Sequence, residues 1–280
     1  MTARVAVVGH VEWVDFVVAP HLPGPGEVLH AVSAHEAPAG GGGMAAYALS
    51  ALTGGGAFWT VLGDDARAED SARMLREAGV EVRAAVRPGT AQRRVITYLT
   101  GDGERTITVL GERFVPCGDD VGVDWSELSS YDAVYLTAGD AAVTRAARGA
   151  ALLAVTARAR ESILAGGVPV DVLIGSATDP GEVLDDELLR VARPGLVVQT
   201  EGAAGGSWRT ADGRTGRWAA VPLPGPPVDA YGCGDAFAAA LTAALARGDS
   251  VEQACTLAAT TGADILCQRA PAVGDLSRHW

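Results

Sequence analysis

The sequence alternates short, continuously apolar runs with longer runs of helical pattern, and this alternation is what most constrains the fold. The run from Val5 to Val8 is typical, because it is short, fully apolar and ends in Gly9. Continuous apolar strands separated by helices indicate a parallel sheet covered on both faces. The predicted strands are residues 5–8, 58–62, 132–136, 152–156, 170–174 and 196–200, and the predicted helices include residues 44–52 and 69–78. We therefore predict an α/β protein with a three-layer α/β/α core.

Small polar and glycine-rich segments follow several of these strands. They are Gly9, residues 63–65, residues 139–140 and residues 200–202. In open parallel sheets, ligands bind beyond the carboxyl ends of the strands. We therefore expect a binding cleft where these segments meet.

Two stretches interrupt the alternation. Residues 11–37 contain three prolines and alternate apolar with polar side chains around Val28 to Val32. Residues 91–114 are predicted to form a hairpin that turns through Gly101-Asp102-Gly103, because Asp-Gly is a strong turn signal. We expect these two insertions to form a small β lid over a core of residues 1–10, 38–90 and 115–280. An ordinary edge hairpin is the alternative.

The charge of the chain bears on its partners. The formal net charge is −12, from 34 acidic and 22 basic residues, and every basic residue is arginine. An acidic chain without a basic cluster repels a nucleic-acid backbone, so we expect no nucleic-acid partner. The phosphates of a nucleotide would have to be held locally by backbone amides, Mg²⁺ and single arginines.

Membrane, export and redox signals are weak. No segment is apolar for long enough to span a bilayer, and the first apolar run is too short for a signal-peptide core, so we expect a cytoplasmic protein without a membrane partner. The four cysteines are scattered and include no C-x-x-C motif. We interpret them as small buried side chains rather than as disulfide or zinc ligands.

The segment from Val228 to Phe237 carries the strongest chemical signal. Gly232 and Gly234 precede a helical run over residues 236–247 that is closed by Gly248. Glycines at a helix amino terminus let backbone N–H groups converge on an anion, and the helix dipole favours the Asp235 carboxylate there. This pattern suits phosphoryl transfer, with amides that neutralise charge and a carboxylate that accepts a proton. A helix cap with glycines for tight packing explains it equally well.

Further motifs give the segment a context. Residues 228–237 resemble the D-T-x-G-A-G-D-x-F signature of the ribokinase-like, or PfkB, sugar kinases. Four other segments resemble motifs of that family in the expected order: residues 39–52 its glycine-rich signature, 62–65 its G-x-D-x-x-G neighbourhood, 103–107 its D-G-x-R lid hairpin and 200–205 its T-x-G-x-x-G nucleotide loop. The resemblance covers nearly the whole chain and implies a Rossmann-like, ribokinase-like core with a mainly parallel sheet.

The resemblance implies catalytic roles at the 228–237 segment. Asp235 corresponds to the aspartate that deprotonates the substrate hydroxyl, and Gly232-Cys233-Gly234 to the anion hole. Asp229 corresponds to the aspartate that helps to hold a monovalent cation such as K⁺ in some members. The implied cofactors are ATP and Mg²⁺. Cys233 replaces the usual alanine, which we interpret as a substitution that the site tolerates.

The resemblance also implies the substrate contacts. Gly40 and Gly41 would let the substrate lie against bare backbone. Asp15 resembles the aspartate that accepts hydrogen bonds from substrate hydroxyls, although its spacing is one residue longer than in ribokinase, so Glu12 is a competing candidate. A carboxylate accepts two such bonds at once, which suits a vicinal diol. Met44 stands where many members have a substrate-binding asparagine.

The nucleotide contacts follow in the same way. Thr200, Gly202, Gly205 and Gly234 would border the ATP phosphates and ribose, and adenine would lie against the helix around Ala259. Ser176 and Asp179 occupy the positions of the N-x-x-E motif that organises Mg²⁺ and phosphate, so Asp179 is expected to hold Mg²⁺ through water. Arg105 either reaches the phosphates or braces the hairpin.

Three functions remain open at this point. The leading hypothesis is an ATP-dependent kinase that phosphorylates a primary hydroxyl of a small sugar. A nucleoside kinase of the same fold is the alternative, since Met44 would offer an apolar side chain to a base. A non-catalytic homologue that binds a sugar or a nucleotide is the third possibility. The resemblance further implies a homodimer that forms through the lid, whose exposed edge would otherwise need cover.

Overall fold

The computed structural model describes residues 3–100, 105–112, 114–272, 274 and 276–280. Within these residues the chain forms a nine-stranded sheet and a separate four-stranded sheet. The strands are β1 (Val5–Val8), β2 (Glu12–Ala19), β3 (Ser33–Ala39), β4 (Ala57–Leu62), β5 (Glu81–Val86), β6 (Arg94–Thr100), β7 (Arg105–Leu110), β8 (Ala133–Leu136), β9 (Leu152–Thr156), β10 (Val172–Ser176), β11 (Leu196–Thr200), β12 (Gly206–Thr210) and β13 (Thr215–Trp218). The helices are α1 (Gly40–Thr53), α2 (Ala66–Glu77), α3 (Ala141–Ala147), α4 (Arg160–Gly166), α5 (Asp186–Ala192), α6 (Cys233–Arg247) and α7 (Val251–Leu266).

The large sheet has the order β13-β12-β11-β10-β9-β8-β1-β4-β5. From β11 to β5 every neighbouring pair is parallel, and only β12 and β13 run antiparallel. The predicted strands all lie in this sheet, and their bounds agree with the structure to within two residues. The prediction of a mainly parallel sheet is therefore confirmed.

Helices cover both faces of the large sheet, because its central strands are apolar on both sides. In β1, Val5 and Val7 pack with α1, α2, α6 and α7 into one core cluster. Ala6 and Val8 point the other way and pack with α3, α4 and α5 into a second cluster. This alternation by single residues is the period of a strand buried on both faces. The three-layer α/β/α prediction is confirmed.

Predicted helix starts differ from the observed ones. The structure begins α1 at Gly40 rather than at residue 44, and α6 at Cys233 rather than at residue 236. Glycine is a poor helix former, so the glycines at both starts concealed the first turn from a pattern-based prediction. The ends are as expected, since Gly54 and Gly248 adopt the left-handed conformation that closes helices.

The small sheet, called the lid sheet below, has the order β3-β2-β6-β7. The predicted hairpin is present, since β6 and β7 pair antiparallel, while its Gly101-Asp102-Gly103 turn and Glu104 lie outside the described residues. The alternation around Val28 to Val32 was a wrong indication of strand. That stretch is irregular and solvent-exposed, and the strands of this insertion lie on either side of it. Antiparallel pairing of β2 with β3 closes the insertion.

Two further findings concern the helices and the cysteines. Among the described residues, no helix combines the length and the apolar character needed to cross a membrane. The cysteines carry free thiols, but only Cys255 is buried, whereas Cys117, Cys233 and Cys267 are partly exposed. The interpretation of all four as buried side chains was wrong for these three, which lie in turns or at a helix start rather than inside a helix.

Candidate active site

The first turns of α1 and α6 meet at the carboxyl-terminal edge of the large sheet. A Cβ atom placed on Gly41 would lie 3.1 Å from Oδ1 of Asp235 and 3.8 Å from Cε1 of His10. The bare backbone at Gly41 is therefore what allows the Asp235 carboxylate to approach. The two glycine-rich segments that the sequence singled out share one cleft.

The start of α6 leaves backbone amides available. Gly232 precedes the helix with φ at +82°, and no side chain caps the helix. The Cys233 N–H lies 3.4 Å from the Ala230 carbonyl, while a Cβ on Gly234 would meet nothing within 4 Å. An uncapped helix start that opens onto free space has the geometry of an anion site.

Asp235 lies in the first turn of α6 and is partly buried. Burial raises the pKa of this carboxyl to about 7, and the negative charge of Glu182 acts in the same direction. Arg105 and Arg158 oppose the rise in pKa, and Glu12 adds to it. A carboxyl with a pKa near neutrality is matched to accepting a proton at neutral pH.

Cys233 and Met44 line the back of this turn. Burial raises the pKa of the Cys233 thiol to about 12, so the thiol is protonated and unreactive at neutral pH. Met44 is fully buried, and a Cβ on Gly232 would lie 2.5 Å from its Cε atom. The Met44 side chain therefore packs beneath the helix start and is not exposed to the cleft, where it was expected to contact substrate.

The two substrate carboxylate candidates lie on opposite faces of β2. Glu12 is buried beside Gly40, and its carboxylate lies 2.9 Å from the Arg93 guanidinium and 3.7 Å from the His10 imidazole. Asp15 pairs instead with Arg94 at 2.8 Å. Residues three apart in a strand point to opposite faces, so only one of the two faces Asp235. The structure brings Glu12, not Asp15, to the cleft, and the longer spacing noted in the sequence explains why.

The nucleotide candidates gather at the ends of β10 and β11. Ser176 and Thr200 are register partners in adjacent strands. Gly202 is exposed, with φ at +57° and open space where a Cβ would be, so a ligand can approach it. At Gly205 a Cβ would lie 2.1 Å from the Trp218 carbonyl oxygen, so this glycine is needed for packing of the loop itself. Ala259 lies on α7, partly exposed.

The metal candidates are both engaged with protein groups. Asp229 is buried, and its two carboxylate oxygens accept the N–H groups of Tyr231 at 2.8 Å and of Ala270 at 3.3 Å. Asp179 accepts the Gly181 N–H at 2.8 Å and forms an ion pair with Arg158. Within the described residues, no group of three or more His, Cys, Asp or Glu side chains is arranged to hold a metal ion.

The structure adds polar residues that the sequence analysis missed: His10, Arg93, Arg158, Glu182 and Tyr231. Glu182 lies 3.3 Å from the Arg158 guanidinium, and burial raises its pKa. His10 directly follows Gly9 at the end of β1, so its place at a strand end was a usable signal. No comparable signal marked Arg93 or Glu182, because the ion pair of Arg93 with Glu12 and the effect of Glu182 on Asp235 arise only from the packing of distant segments.

One contact with the lid sheet and one cavity outside the cleft help to delimit the candidate site. Arg105, on β7 of the lid sheet, donates to the Ala230 carbonyl at 2.8 Å and so connects the lid sheet to the loop before α6. A separate cavity of about 790 Å³ lies against β11, β12 and β13. Ser176 and Asp179 are among its lining residues, but Asp235 and Gly232 are not. The Gly41–Asp235 cleft, rather than that cavity, is therefore the candidate active site.

Comparisons with known proteins give this arrangement a family. Many solved structures share the fold, including the three that follow. A putative ribokinase from Agrobacterium tumefaciens has a TM-score of 0.81 at 20% identity, over 99% of this chain and 95% of that one. An adenosine kinase from Sinorhizobium meliloti has a TM-score of 0.79 at 20% identity, over 99% and 98%. A ribokinase from Arabidopsis thaliana, complexed with ribose and ATP, has a TM-score of 0.75 at 21% identity, over 98% and 95%.

Identities this low establish the fold alone, and no curated protein matches the chain. The family comes from a different comparison. The model described as "pfkB family carbohydrate kinase" matches residues 2–170 and 178–275, which is most of the sequence. The chain therefore belongs to the pfkB family of carbohydrate kinases and is a phosphotransferase.

Proposed function

We propose that the protein transfers the γ-phosphoryl group of ATP to a primary hydroxyl of a small sugar, with Asp235 as the general base. One observation carries the proposal. The Asp235 carboxylate, with its pKa raised to about 7, lies at an uncapped helix start and within 3.1 Å of the Cβ position of Gly41. A base, an anion site and a bare acceptor turn thus share one cleft.

The chemistry follows from that juxtaposition. The sugar hydroxyl attacks the γ-phosphorus while its proton passes to Asp235, and the bond to the β-phosphate bridging oxygen breaks to release ADP. Backbone amides from Gly232 to Gly234 stabilise the charge on the transferring group. Glu12, buried beside Gly40, accepts hydrogen bonds from the sugar hydroxyls. The residues mainly position the reactants, which is the larger part of catalysis in phosphoryl transfer.

ATP and Mg²⁺ fit the residues at the ends of β10 and β11, beside the cavity that Ser176 and Asp179 line. Gly202 and Gly234 leave open space beside their backbones, and Ser176 and Thr200 are hydroxyl-bearing register partners in β10 and β11. The carboxylates of Glu182 and Asp179 offer the oxygen donors that Mg²⁺ prefers, and Mg²⁺ usually keeps several waters and binds through one or two carboxylates plus phosphates. Bound there, the ion neutralises phosphate charge. Arg158 holds both carboxylates in place.

A monovalent cation such as K⁺ also fits beside Asp229. Each carboxylate oxygen has two lone pairs, and each accepts one N–H group. The remaining lone pairs suit a cation in a buried loop directly before the anion site.

Burial of Met44 weakens the alternative of a nucleoside kinase. That alternative depended on an apolar Met44 side chain facing a base, whereas the side chain is fully buried under Gly232. The raised pKa of Asp235 argues against a non-catalytic binding protein. Burial and the charge of Glu182 raise it to about 7 against the opposing charges of Arg105 and Arg158, and a carboxyl with a pKa near neutrality suits proton transfer.

We propose further that two chains pair through the lid sheet. Every residue of its edge strand β7 is exposed, including Ile107 and Val109. An exposed edge strand with apolar side chains offers unpaired N–H and C=O groups to a partner.

ATP consumption with a panel of sugars and nucleosides tests the proposed reaction, with Asp235→Asn as the matched variant. We expect ADP release to depend on a sugar and on Mg²⁺, and the variant to lose at least about a hundredfold in kcat. A variant as active as the wild type would remove Asp235 from the mechanism. Turnover with nucleosides alone would favour the alternative, and no turnover with any acceptor would contradict a kinase.

A further inference from the structure

Tyr231 connects the two turns on which the proposed reaction depends. Its hydroxyl oxygen accepts the backbone N–H of Gly40 at 3.1 Å, across 191 residues of sequence. Gly40 begins α1, the helix whose first turn carries the acceptor-side Gly41. Tyr231 itself directly precedes Gly232, where the anion site starts. One side chain therefore joins the acceptor turn to the anion site.

The bond meets a need of α1. The preceding residue, Ala39, has no side chain that caps the helix, and Gly40 is buried with φ at +82°. A buried N–H group at a helix start has no partner within the helix and must find one elsewhere. The Tyr231 hydroxyl supplies that partner from outside the helix. Burial raises the pKa of Tyr231, so the hydroxyl keeps its proton at neutral pH.

Aromatic contacts also hold the ring of Tyr231 in place. It packs edge-on against Phe16 of β2, with 5.2 Å between ring centroids. Phe16 in turn stacks on His35 of β3, with 4.8 Å between centroids and 9° between planes. His35 Nε2 donates to the Ala270 carbonyl at 2.7 Å, and the Ala270 N–H returns to the Asp229 carboxylate. The Tyr231 N–H also donates to Asp229, which closes the ring of contacts.

This closed ring joins the lid sheet, the acceptor turn and the anion site. We infer that Tyr231 is a positioning residue, whose hydroxyl holds the acceptor turn at Gly40 and Gly41 in register with Asp235 and the anion site. The inference rests on the proposed function, because register matters only if an acceptor is phosphorylated in this cleft. Displacement of a reactant by about 1 Å can cost a hundredfold in rate, so a bond that fixes this spacing affects turnover directly.

The test is Tyr231→Phe, which keeps the ring and its contact with Phe16 and removes only the hydroxyl. We expect kcat/KM for the acceptor sugar to fall about tenfold, while KM for ATP changes less than about twofold. Tyr131→Phe is the matched control, because the Tyr131 hydroxyl is also buried and accepts a bond, from Trp59 Nε1 at 3.3 Å in the other core cluster. That control should keep its kcat/KM.

Amide hydrogen exchange provides a second measurement that does not need activity. We expect the Gly40 amide to be protected in the wild type and to exchange at least about tenfold faster in Tyr231→Phe. An unprotected Gly40 amide in the wild type overturns the inference even if the variant does not fold. Equal acceptor kcat/KM in Tyr231→Phe and the wild type also overturns it and leaves the kinase proposal intact. Absence of turnover in the wild type contradicts the kinase proposal itself.

Discussion

Asp235 is a carboxyl group whose surroundings oppose its charge. Burial and the nearby Glu182 carboxylate raise its pKa from 3.8 to about 7, although Arg105 and Arg158 pull it the other way. A carboxyl group with a much lower pKa would be ionised at neutral pH but would be a poor proton acceptor. A carboxyl group with a much higher pKa would stay protonated. The raised pKa therefore has a consequence for the rate and another for stability.

The rate should follow the ionisation of Asp235, because only its deprotonated form accepts the acceptor proton. We expect kcat/KM to fall about tenfold per pH unit below about pH 7 and to level off above it. A pH–rate profile with saturating Mg²⁺ measures this. An acidic limb centred near pH 4 would show that the raised pKa does not govern turnover.

The contribution of Asp235 to folding stability should fall as pH rises, whereas the rate should increase. The folded-state pKa of about 7 lies above the ordinary aspartate value of 3.8, so the folded protein holds this proton more tightly than the unfolded chain does. The contribution of Asp235 to stability therefore declines as pH rises from about 4 to 7. Asp235→Asn removes that cost. We expect the variant to be more stable at pH 8 by about 2 kcal/mol, or about 4 °C in melting temperature, and by less at pH 5. Equal melting curves at pH 8 would contradict this.

Glu12 and Asp15 allow a matched comparison of two carboxylates from one strand. Glu12→Gln should raise the acceptor KM about tenfold, because the carboxylate beside Gly40 loses acceptor capacity, while the ATP KM stays within about twofold. Asp15→Asn, on the opposite face with Arg94, should leave both within about twofold. Steady-state kinetics measure this. The rates are normalised to the amount of folded protein, because Glu12→Gln also removes the charge partner of Arg93 and can lower stability. The opposite ranking would return the role to Asp15.

At the scale of elements, two positions at the start of α6, Gly232 and Gly234, require glycine for different reasons. Gly232 has φ at +82° and contacts Met44, whereas Gly234 faces open space within the helix. The first is required by backbone conformation and packing. The second is required, on our proposal, by the ligand.

Alanine at each position separates these reasons. Gly234→Ala should fold with unchanged or slightly higher stability, since alanine is the better helix former by about 1 kcal/mol, yet lose most activity because its methyl group occupies the anion site. Gly232→Ala should lose about 2 kcal/mol of stability from strain and overlap with Met44. Thermal melts and kcat measure both. Full activity in Gly234→Ala would argue against an anion site there.

At the scale of the whole molecule, the edge of the lid sheet is the surface that a second copy would cover. Ile107 and Val109 are each about half exposed there, at 45% and 46%. We expect light scattering coupled to size exclusion to give a dimer mass, and Ile107→Lys to give a monomer, because a buried lysine charge opposes pairing. A wild-type monomer at micromolar concentration would contradict a lid dimer.

The sequence predicted most of the architecture, because the apolar period of each strand is a local property. The three layers, the parallel orientation of the central strands and the hairpin of β6 and β7 follow from runs of four to seven residues. Helix starts at Gly40 and Cys233 were placed too late, since glycine breaks the pattern that the prediction used. The alternation near Val28 favoured β structure for residues 11–37, but the strands of that insertion lie on either side of it, because an exposed loop also alternates apolar with polar residues.

The sequence by itself determined the elements of the fold and the identity of the Asp235 segment, since both are written in contiguous residues. Only the tertiary structure decided that Glu12 rather than Asp15 faces the cleft, that Met44 is buried, and that burial, with the charges of Glu182 and Arg158, sets the pKa of Asp235. The direction in which a strand side chain points, and whether it is buried, depend on strand register and packing. The pKa of Asp235 depends on its burial and on charges from distant segments. Those distances are set by packing of the whole chain, which no local pattern records.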